Sequence, residues 1–291
     1  MTAQTMHPDH TTGVVGLVGL GLIGGSLGLD LSARGWDVRG LVRRESTAAR
    51  ARQRGLAGRV STDPAVLAGC QLVVLALPLD QLLAPDPALL AALPPEAVIT
   101  DVGSVKAPVL RTWQGIVPRF VASHPMAGTA EAGVEAGLRH LFRGRPWVVT
   151  PTPDTDPAAL QAVRALAEAV EAQWLPCDPH AHDRAVALIS HLPVLVGAAL
   201  LQAADRGTVD AEARVLVRAL ASSGFADTTR VGAGNPELGA LMARCNREQV
   251  LAALASYRRS LDQLEGLVQQ ERWAELREAL TAGQRLRPEF L

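Results

Sequence analysis

The chain has 291 residues, which is enough for one large domain or two domains of ordinary size. Its 48% hydrophobic and 20% charged residues are typical of a globular protein, and the formal net charge of −1 excludes a global field that would attract nucleic acid or an anionic membrane. The three cysteines are few, far apart and odd in number, so they indicate neither a disulfide framework nor paired metal ligands, and no apolar run approaches the roughly 20 residues of a membrane span.

The chain begins with a polar segment, residues 1–12, that lacks the apolar core of a signal peptide. This segment is predicted to be a disordered tail, and the cytoplasm is the expected compartment, with no membrane or nucleic-acid partner. From residue 13 to residue 176, short apolar runs alternate with segments of helix length, as in a parallel sheet covered by helices. This part is predicted to be a doubly wound, Rossmann-like α/β dinucleotide-binding domain, with strands at residues 13–18, 37–42, 72–77, 97–100, 119–122 and 146–150.

Residues 177–291 are dominated by helix formers and are predicted to form an all-α domain that binds substrate and dimerises. Helices are predicted at residues 185–204, 211–222, 236–270 and 273–282. Asn235 and Pro236 suit the N-cap and the first turn of the third helix. Apolar residues recur along that helix at helical spacing from Leu238 to Leu264. Because such an apolar stripe needs a partner, a homodimer is expected.

A glycine-rich sequence, Gly19-Leu20-Gly21-Leu22-Ile23-Gly24, follows the first predicted strand and opens a predicted helix. In this context the G-x-G-x-x-G pattern favours a dinucleotide site over a glycine-rich turn that binds nothing. Gly19 permits the tight turn, Gly21 lets the backbone approach a pyrophosphate, and Gly24 allows close packing of helix against strand. The cofactor contacts predicted in this loop and at the ends of the later strands are Gly19, Gly21, Leu22, Ile23, Gly24, Leu77, Pro78 and Gly103.

The residues after the second predicted strand bear on the choice of cofactor. Enzymes that use NAD have an acidic residue there for the ribose 2′-hydroxyl, whereas this chain has Arg43 and Arg44. Two guanidinium groups can pair with the 2′-phosphate of NADP, and Ser46 and Thr47 add hydroxyl donors. NADP is therefore the predicted cofactor. Glu45 would allow NAD as well if it faced the ribose. The alternative to a phosphate site is that the two arginines simply lie on a solvated loop.

Two further segments at predicted strand ends contain candidate catalytic residues. Residues 101–106 (DVGSVK) follow a buried strand, where ligands of open α/β sheets bind. Lys106 is the only lysine of the chain, which indicates a geometry that a guanidinium does not satisfy; sequence drift or a helix-capping lysine is an equal alternative. His124 follows the next strand at a turn fixed by Pro125 and Gly128, which favours a functional histidine over a structural one. A neutral imidazole there, with a reference pKa of about 6.5, can take a hydroxyl proton as hydride leaves the same carbon.

Two candidate substrate contacts lie in the helical part. Pro193 falls inside the first predicted helix, where it must bend the helix or free a carbonyl four residues earlier. Nearby His191 is a candidate contact, and a buried histidine bonded to the freed carbonyl is the alternative. Residues 222–230 are predicted to be a polar loop between two helices. Arg230 in it can hold a carboxylate by two parallel hydrogen bonds, with a salt bridge to Asp227 as an equal alternative.

Six motifs occur in the order seen in prephenate/arogenate dehydrogenases, and the chain resembles that family from about Val14 to Leu280. They are GLGLIGGS from Gly19, DVGSVK from Asp101, HPMAG from His124, SHLP from Ser190, ASSGFADTTR from Ala221 and GNPEL from Gly234. The resemblance is closest to the cyanobacterial-type, NADP-dependent arogenate dehydrogenases. It implies a Rossmann-like domain followed by a helical dimerisation domain.

The resemblance also implies residue roles. His124 would be the catalytic histidine bonded to the ring hydroxyl of the substrate, and Ser104 would contact that hydroxyl or the nicotinamide. Arg230 would bind a substrate carboxylate and His191 would line the pocket. Lys106 is also predicted to be a substrate-binding residue, although the sequence does not define its direct role.

The activity implied is oxidative decarboxylation of arogenate to tyrosine, or of prephenate to 4-hydroxyphenylpyruvate, with hydride transfer to NADP⁺. Two departures match the arogenate-type members: Val194 replaces a second histidine after the SHLP proline, and Ala130 replaces an acidic residue after HPMAGT. The alternatives are a β-hydroxyacid dehydrogenase, which explains Lys106 but not the HPMAG and SHLP motifs together, and a regulatory protein that senses NADP without turnover.

Overall fold

The computed structural model describes residues 13–129 and 131–290, so the predicted tail at residues 1–12 lies outside the described part. A six-stranded, all-parallel sheet forms the centre of the first half of the chain, with the strand order β3-β2-β1-β4-β5-β6. Its strands are β1 (Val14–Val18), β2 (Asp37–Leu41), β3 (Arg59–Ser61), β4 (Leu72–Leu75), β5 (Val98–Asp101) and β6 (Phe120–Val121).

The order of the strands determines where a ligand can bind. The chain runs outward from β1 through β2 to β3 and then returns to the other side of β1 as β4, with Val15 in register with both Val38 and Leu72. The connections therefore leave β1 and β4 in opposite directions, and a crevice opens between them at their carboxyl ends. Rossmann-like folds bind dinucleotides at this point, so the predicted fold class is confirmed.

A second, three-stranded sheet was not predicted. It consists of β7 (Ser123–Pro125), β8 (Pro146–Val149) and β9 (Gln173–Pro176), with β7 antiparallel and β9 parallel to β8. The strand predicted at residues 146–150 therefore exists, but it does not continue the main sheet as expected. Only Ala122 separates β6 from β7, so the chain passes directly from the main sheet to the second sheet. The residues that follow β6 are thereby held close to the carboxyl edge of the main sheet.

Helices cover the main sheet, as the alternating pattern predicted. They are α1 (Leu22–Ser32), α2 (Glu45–Gln53), α3 (Leu79–Leu83), α4 (Pro87–Ala92), α5 (Ala107–Gln114) and α6 (Pro157–Ala169). Apolar side chains such as Leu17, Leu27 and Ile99 are fully buried between sheet and helices. Each of these side chains stabilises the fold by about 1.5–3 kcal/mol relative to exposure. The core therefore holds the carboxyl ends of the strands in fixed positions.

The remainder of the chain is helical, which confirms the predicted second part. Two of its predictions are wrong. The single helix expected at residues 236–270 is interrupted at Asn246, and the polar loop expected at residues 222–230 contains a helix. The helices are α7 (Pro179–Val186), α8 (Leu192–Arg206), α9 (Ala211–Leu220), α10 (Ser223–Thr229), α11 (Pro236–Cys245), α12 (Arg247–Gln269) and α13 (Trp273–Phe290).

Pro193 has the effect on its helix that the sequence predicted. A π-helical turn, Ala187–His191, joins α7 to α8, and Pro193 occupies the first turn of α8, where its missing N–H costs little. The combined stretch Pro179–Arg206 is long and apolar enough to cross a membrane by length and composition, with a mean hydropathy of 1.9 in its most apolar window. The expectation that no segment approaches this length is therefore wrong, although charged Asp183 and Arg184 lie near the start of the stretch.

Candidate active site

The glycine loop between β1 and α1 has the geometry of a dinucleotide site. Gly19 adopts φ of +93°, and a Cβ there would collide with the carbonyl oxygen of Ala76. A Cβ at Gly24 would collide with the carbonyl oxygen of Gly19, so this glycine permits the close packing of α1. A Cβ at Gly21 would instead have no described atom within 4 Å, which leaves open space beside the helix N-terminus. Free backbone N–H groups facing open space suit a pyrophosphate, so the loop fits the predicted cofactor.

The other residues predicted to bind the cofactor lie at the same edge of the sheet. Leu77 and Pro78 follow β4, with the Leu77 side chain beside Gly19, and Gly103 follows β5. Leu22 and Ile23 form the first turn of α1, where N–H groups have no partner within the helix. This edge is the predicted position of the nicotinamide dinucleotide.

The loop after β2 exposes both predicted arginines. Arg43 and Arg44 are exposed, and within residues 13–129 and 131–290 neither forms an ion pair. Thr47 lies half-buried in the first turn of α2. Glu45, the residue that would favour NAD, pairs with Arg52 at 2.8 Å between Oε1 and Nη1. The acidic side chain is thus occupied by a cation, whereas two guanidinium groups remain available for a phosphate.

A buried polar network follows β5 and contains Lys106. The ammonium group of Lys106 pairs with Asp101 and donates to the carbonyl oxygen of Ser123 at 2.6 Å, and both charged side chains are fully buried. Asp101 also accepts hydrogen bonds from the backbone N–H groups of Gly103 and Ser123, at 2.8 and 3.1 Å. The network ties the end of β5 to the residue before His124. Burial lowers the pKa of Lys106, and the attraction of Asp101 opposes this shift.

This position corrects the prediction that Lys106 binds substrate. Its side chain has no exposed surface and its ammonium is already occupied by two acceptors. Lys106 acts instead as a positioning residue that fixes Ser123 and, through the backbone, His124. A planar guanidinium is bulkier than the ammonium in this closed space, which agrees with the sequence argument that an arginine would not serve here.

His124 lies on β7 and is hydrogen-bonded to a second histidine. Its Nδ1 is 3.0 Å from Nε2 of His182, and Nδ1 of His182 is 2.8 Å from the carboxylate of Asp183. Asp183 also accepts hydrogen bonds from the N–H groups of Lys106 and Ala107, at 2.7 and 2.9 Å, at the start of α5. The helix N-terminus thus fixes the carboxylate, and the carboxylate fixes the two imidazoles in a row.

His124 is uncharged at neutral pH in this environment. Burial lowers its pKa well below the usual value, and the charges of His182, Lys106 and His191 lower it further. A neutral imidazole can accept a proton, so His124 meets the first requirement for a general base.

His191 and Ser104 each present a polar atom with no hydrogen-bond partner among the described residues. The Nε2 atom of His191 and the Oγ atom of Ser104 are both buried. Nδ1 of His191 is 3.3 Å from the side-chain nitrogen of Asn246, the residue at which α11 ends. Burial lowers the pKa of His191 to about 4. Because buried polar groups are normally paired, the two free atoms indicate positions for a polar ligand.

Arg230 lies at the end of α10, with its side chain exposed. Within the described part of the chain it forms no ion pair, so the alternative of a bridge to Asp227 is wrong. The turn that Arg230 opens packs against α8, where Gly232 approaches Gly197 so closely that a Cβ at position 232 would collide with the α8 backbone. This close approach fixes the backbone beside Arg230, and its guanidinium remains available for a carboxylate.

Comparison with known proteins identifies the family. The prephenate dehydrogenase nucleotide-binding domain matches residues 27–175, and the prephenate dehydrogenase dimerization domain matches residues 178–282. The chain belongs to the prephenate dehydrogenase family.

Individual relatives in this family agree along most of the chain. The arogenate dehydrogenase structure from Synechocystis shares 41% identity at a TM-score of 0.81, covering 96% of this chain and 100% of that one. An Aquifex aeolicus prephenate dehydrogenase in complex with hydroxyphenyl propionate and NAD⁺ shares 29% identity at a TM-score of 0.89, covering 97% and 99%. The prephenate dehydrogenase of Bacillus subtilis is 29% identical over 262 residues, which is 88% of this chain and 70% of that protein. Membership of this family decides against the β-hydroxyacid dehydrogenase alternative.

Sequence analysis missed three residues that the structure places beside the predicted ones: His182, Asp183 and Asn246. The first two lie on α7, which follows β9 of the second sheet, a strand that the sequence did not predict. Asn246 was placed inside a continuous helix. The one sequence feature that could have indicated His182 and Asp183 as site residues is that they form an adjacent His-Asp pair less than three helical turns before His191.

Proposed function

We propose that the protein catalyses the oxidative decarboxylation of arogenate to tyrosine with NADP⁺, and acts less well on prephenate. The observation that most supports this proposal is His124, a neutral imidazole on β7, just after the main sheet ends at β6, that is held by His182 and, through His182, by Asp183. Family membership supports oxidative decarboxylation as the reaction type.

The chain's own residues account for the steps of this reaction. When bound, the nicotinamide supplies an acceptor for the hydride that leaves the ring carbon bearing the hydroxyl. His124 takes the hydroxyl proton, and the ring then loses its carboxylate as CO₂ because it becomes aromatic. Ser104 and His191 have free polar atoms for the substrate, and Arg230 has a free guanidinium for a carboxylate. The protein mainly supplies orientation and a base.

The choice of arogenate rests on Val194 in the first turn of α8, where many prephenate-specific members have a second histidine. Ala130, the second departure, lies outside the described residues. The test is the formation of reduced cofactor after purified protein and NADP⁺ are mixed with arogenate or with prephenate. A higher kcat/KM for arogenate supports the proposal, and turnover of neither substrate contradicts it and would favour the regulatory protein.

Removing Arg43 is expected to change cofactor preference. The exposed guanidinium after β2 can pair with the 2′-phosphate of NADP⁺, a contact worth about 1.5–3 kcal/mol, so Arg43→Ala should weaken NADP⁺ binding roughly 10–150-fold and leave NAD⁺ nearly unchanged. Arg59→Ala is the matched control. This exposed arginine begins β3, so it lies at the amino ends of the parallel strands, whereas Arg43 follows the carboxyl end of β2. Calorimetric titration with both cofactors measures the effect. Equal losses for the two cofactors would refute the 2′-phosphate contact.

We also propose that the helical domain forms a homodimer. Helices α9 and α13 have no buried residue in the single chain, yet α9 exposes Val215, Leu216 and Leu220 at 58–71% of their surface. The apolar stripe predicted from Leu238 to Leu264 is only partly buried in the single chain: Met242 is buried, whereas other members such as Leu261 are exposed. Exposed apolar area of this extent requires a partner surface.

The long apolar stretch Pro179–Arg206 lies in the same helical domain, which favours an internal helix over a membrane span. The cytoplasmic location stays a prediction.

A dimer is therefore the expected state at micromolar concentration, measured by light scattering. Leu261→Asp should shift the protein toward monomer, because the charge would be desolvated at the interface. Ile116→Asp is the control, since this side chain is exposed to a similar degree but follows α5 in the dinucleotide-binding half. A wild-type monomer at every concentration would contradict the proposal.

A further inference from the structure

The row of side chains Asp183–His182–His124 defines which nitrogen of each imidazole holds the hydrogen. Asp183 already accepts two backbone N–H groups, one on each carboxylate oxygen, so it faces His182 as a hydrogen-bond acceptor. Nδ1 of His182, 2.8 Å away, must then be the donor. A neutral His182 consequently has a lone pair on Nε2, the atom that faces His124.

The same reasoning extends one residue further. Nδ1 of His124 is 3.0 Å from the Nε2 lone pair of His182, so Nδ1 of His124 must hold the hydrogen. This leaves the lone pair of His124 on Nε2, since among the described residues the ring hydrogen-bonds through Nδ1 alone. His124 is half-buried, whereas His182 and Asp183 are buried behind it, so Nε2 is the atom through which this row can meet a substrate.

We propose that Asp183, acting through His182, selects the Nδ1–H tautomer of His124 and so makes Nε2 the basic atom of the site. In the proton transfer, the O–H bond of the substrate breaks and an N–H bond forms at Nε2 of His124. The imidazolium keeps its Nδ1–H bond to His182, whose own Nδ1–H remains on Asp183. His182 and Asp183 are positioning residues, because neither has to touch the substrate. The inference deepens the proposed function and rests on it only for the kinetic part of its test.

The charges around the row agree with a neutral imidazole at His124. Burial lowers the pKa of His124, and the charges of His182, Lys106 and His191 lower it further. If His182 were instead an imidazolium, it would donate from Nε2 to His124, and the hydrogen of His124 would move to Nε2. The site would then lack its base. The two arrangements differ in one observable, the tautomer of His124.

Nitrogen NMR of the full-length protein labelled with ¹⁵N-histidine measures that tautomer without turnover. The signals of His124 are identified as those lost in His124→Asn. We expect Nδ1 protonated and Nε2 unprotonated at neutral pH in the wild type, and a shift toward the Nε2–H form in His182→Phe. His182→Gln should keep the Nδ1–H form, because its amide oxygen can accept the same hydrogen bond. An Nε2–H tautomer in the wild type would overturn the proposal, whether or not the variants fold.

The kinetic part compares the same variants with His180→Phe, the control at an exposed histidine on α7. Outer partners of a functional imidazole typically contribute roughly 10–100-fold, so His182→Phe should lose kcat by about that factor with KM little changed, and His182→Gln should lose less. An unchanged kcat in a folded His182→Phe would also overturn the proposal. Absence of turnover in the wild type would refute the proposed function alone, since the tautomer would still be measured.

Discussion

Replacing His124 with Asn is expected to lower kcat by roughly 10²–10⁴-fold, the contribution of a positioned acid–base group. The amide has a similar reach and can donate to Nε2 of His182 in place of the imidazole, so the variant should fold and bind the cofactor almost normally. It cannot take the substrate proton. Steady-state kinetics and a fluorescence titration with NADP⁺ measure the two effects separately. A variant that keeps its kcat and changes only KM would show that His124 binds substrate without acting as the base.

The pH dependence of kcat/KM gives the same residue a second test. His124 acts as base only when it is neutral, so activity rises with pH as the imidazolium loses its proton. The sequence alone placed this rise near the reference value of about 6.5. Burial lowers the pKa of His124 well below that value, so the rise should fall at lower pH and activity should be level through neutrality. The rise should disappear in His124→Asn, and a rise centred above pH 6.5 in the wild type would contradict the assignment.

Replacing Lys106 with Met is expected to destabilise the fold by about 3–5 kcal/mol, the usual effect of removing one partner of a buried ion pair. The carboxylate of Asp101 would remain fully buried without its cation, and the carbonyl oxygen of Ser123 would lose a donor. The free energy of unfolding from urea denaturation measures this change. Activity should fall as well, because the network positions His124.

A matched double variant separates two contributions to this loss of stability, the unpaired buried charge of Asp101 and the lost packing of the Lys106 side chain. Lys106→Met combined with Asp101→Asn leaves no unpaired charge, and the amide oxygen can still accept a backbone hydrogen bond, so part of the stability should return. A single Lys106→Met variant as stable as the wild type would show that the ion pair does not hold this edge of the sheet together.

Much of the fold followed from local patterns in the sequence. The apolar runs of β1, β4 and β5 are buried on both faces, and such runs identify parallel strands without any knowledge of their neighbours. The glycines at positions 19 and 24 were interpretable because the backbone of the loop itself requires them: Gly19 adopts a positive φ, and Gly24 packs on the carbonyl oxygen of Gly19. Pro193 likewise indicated a helix distortion because its ring and missing N–H act on its own turn.

The errors arose where distant parts of the chain decide the structure. Residues 146–149 have the composition of any buried strand, and only their pairing with β7 and β9 places them in a second sheet. Asn246 interrupts an otherwise helical pattern because its side chain donates to the backbone of Asp183, 63 positions earlier. His182 and Asp183 were missed for the same reason, since their partners lie on β7 and at the start of α5.

The most direct test of the proposed reaction is the ratio of CO₂ released to NADP⁺ reduced when purified protein consumes arogenate. Hydride removal makes the ring lose its carboxylate, so the two products should form in a ratio of one to one throughout the reaction. Both should decrease together in His124→Asn. Reduction of the cofactor without release of CO₂ would contradict oxidative decarboxylation as the activity of this protein.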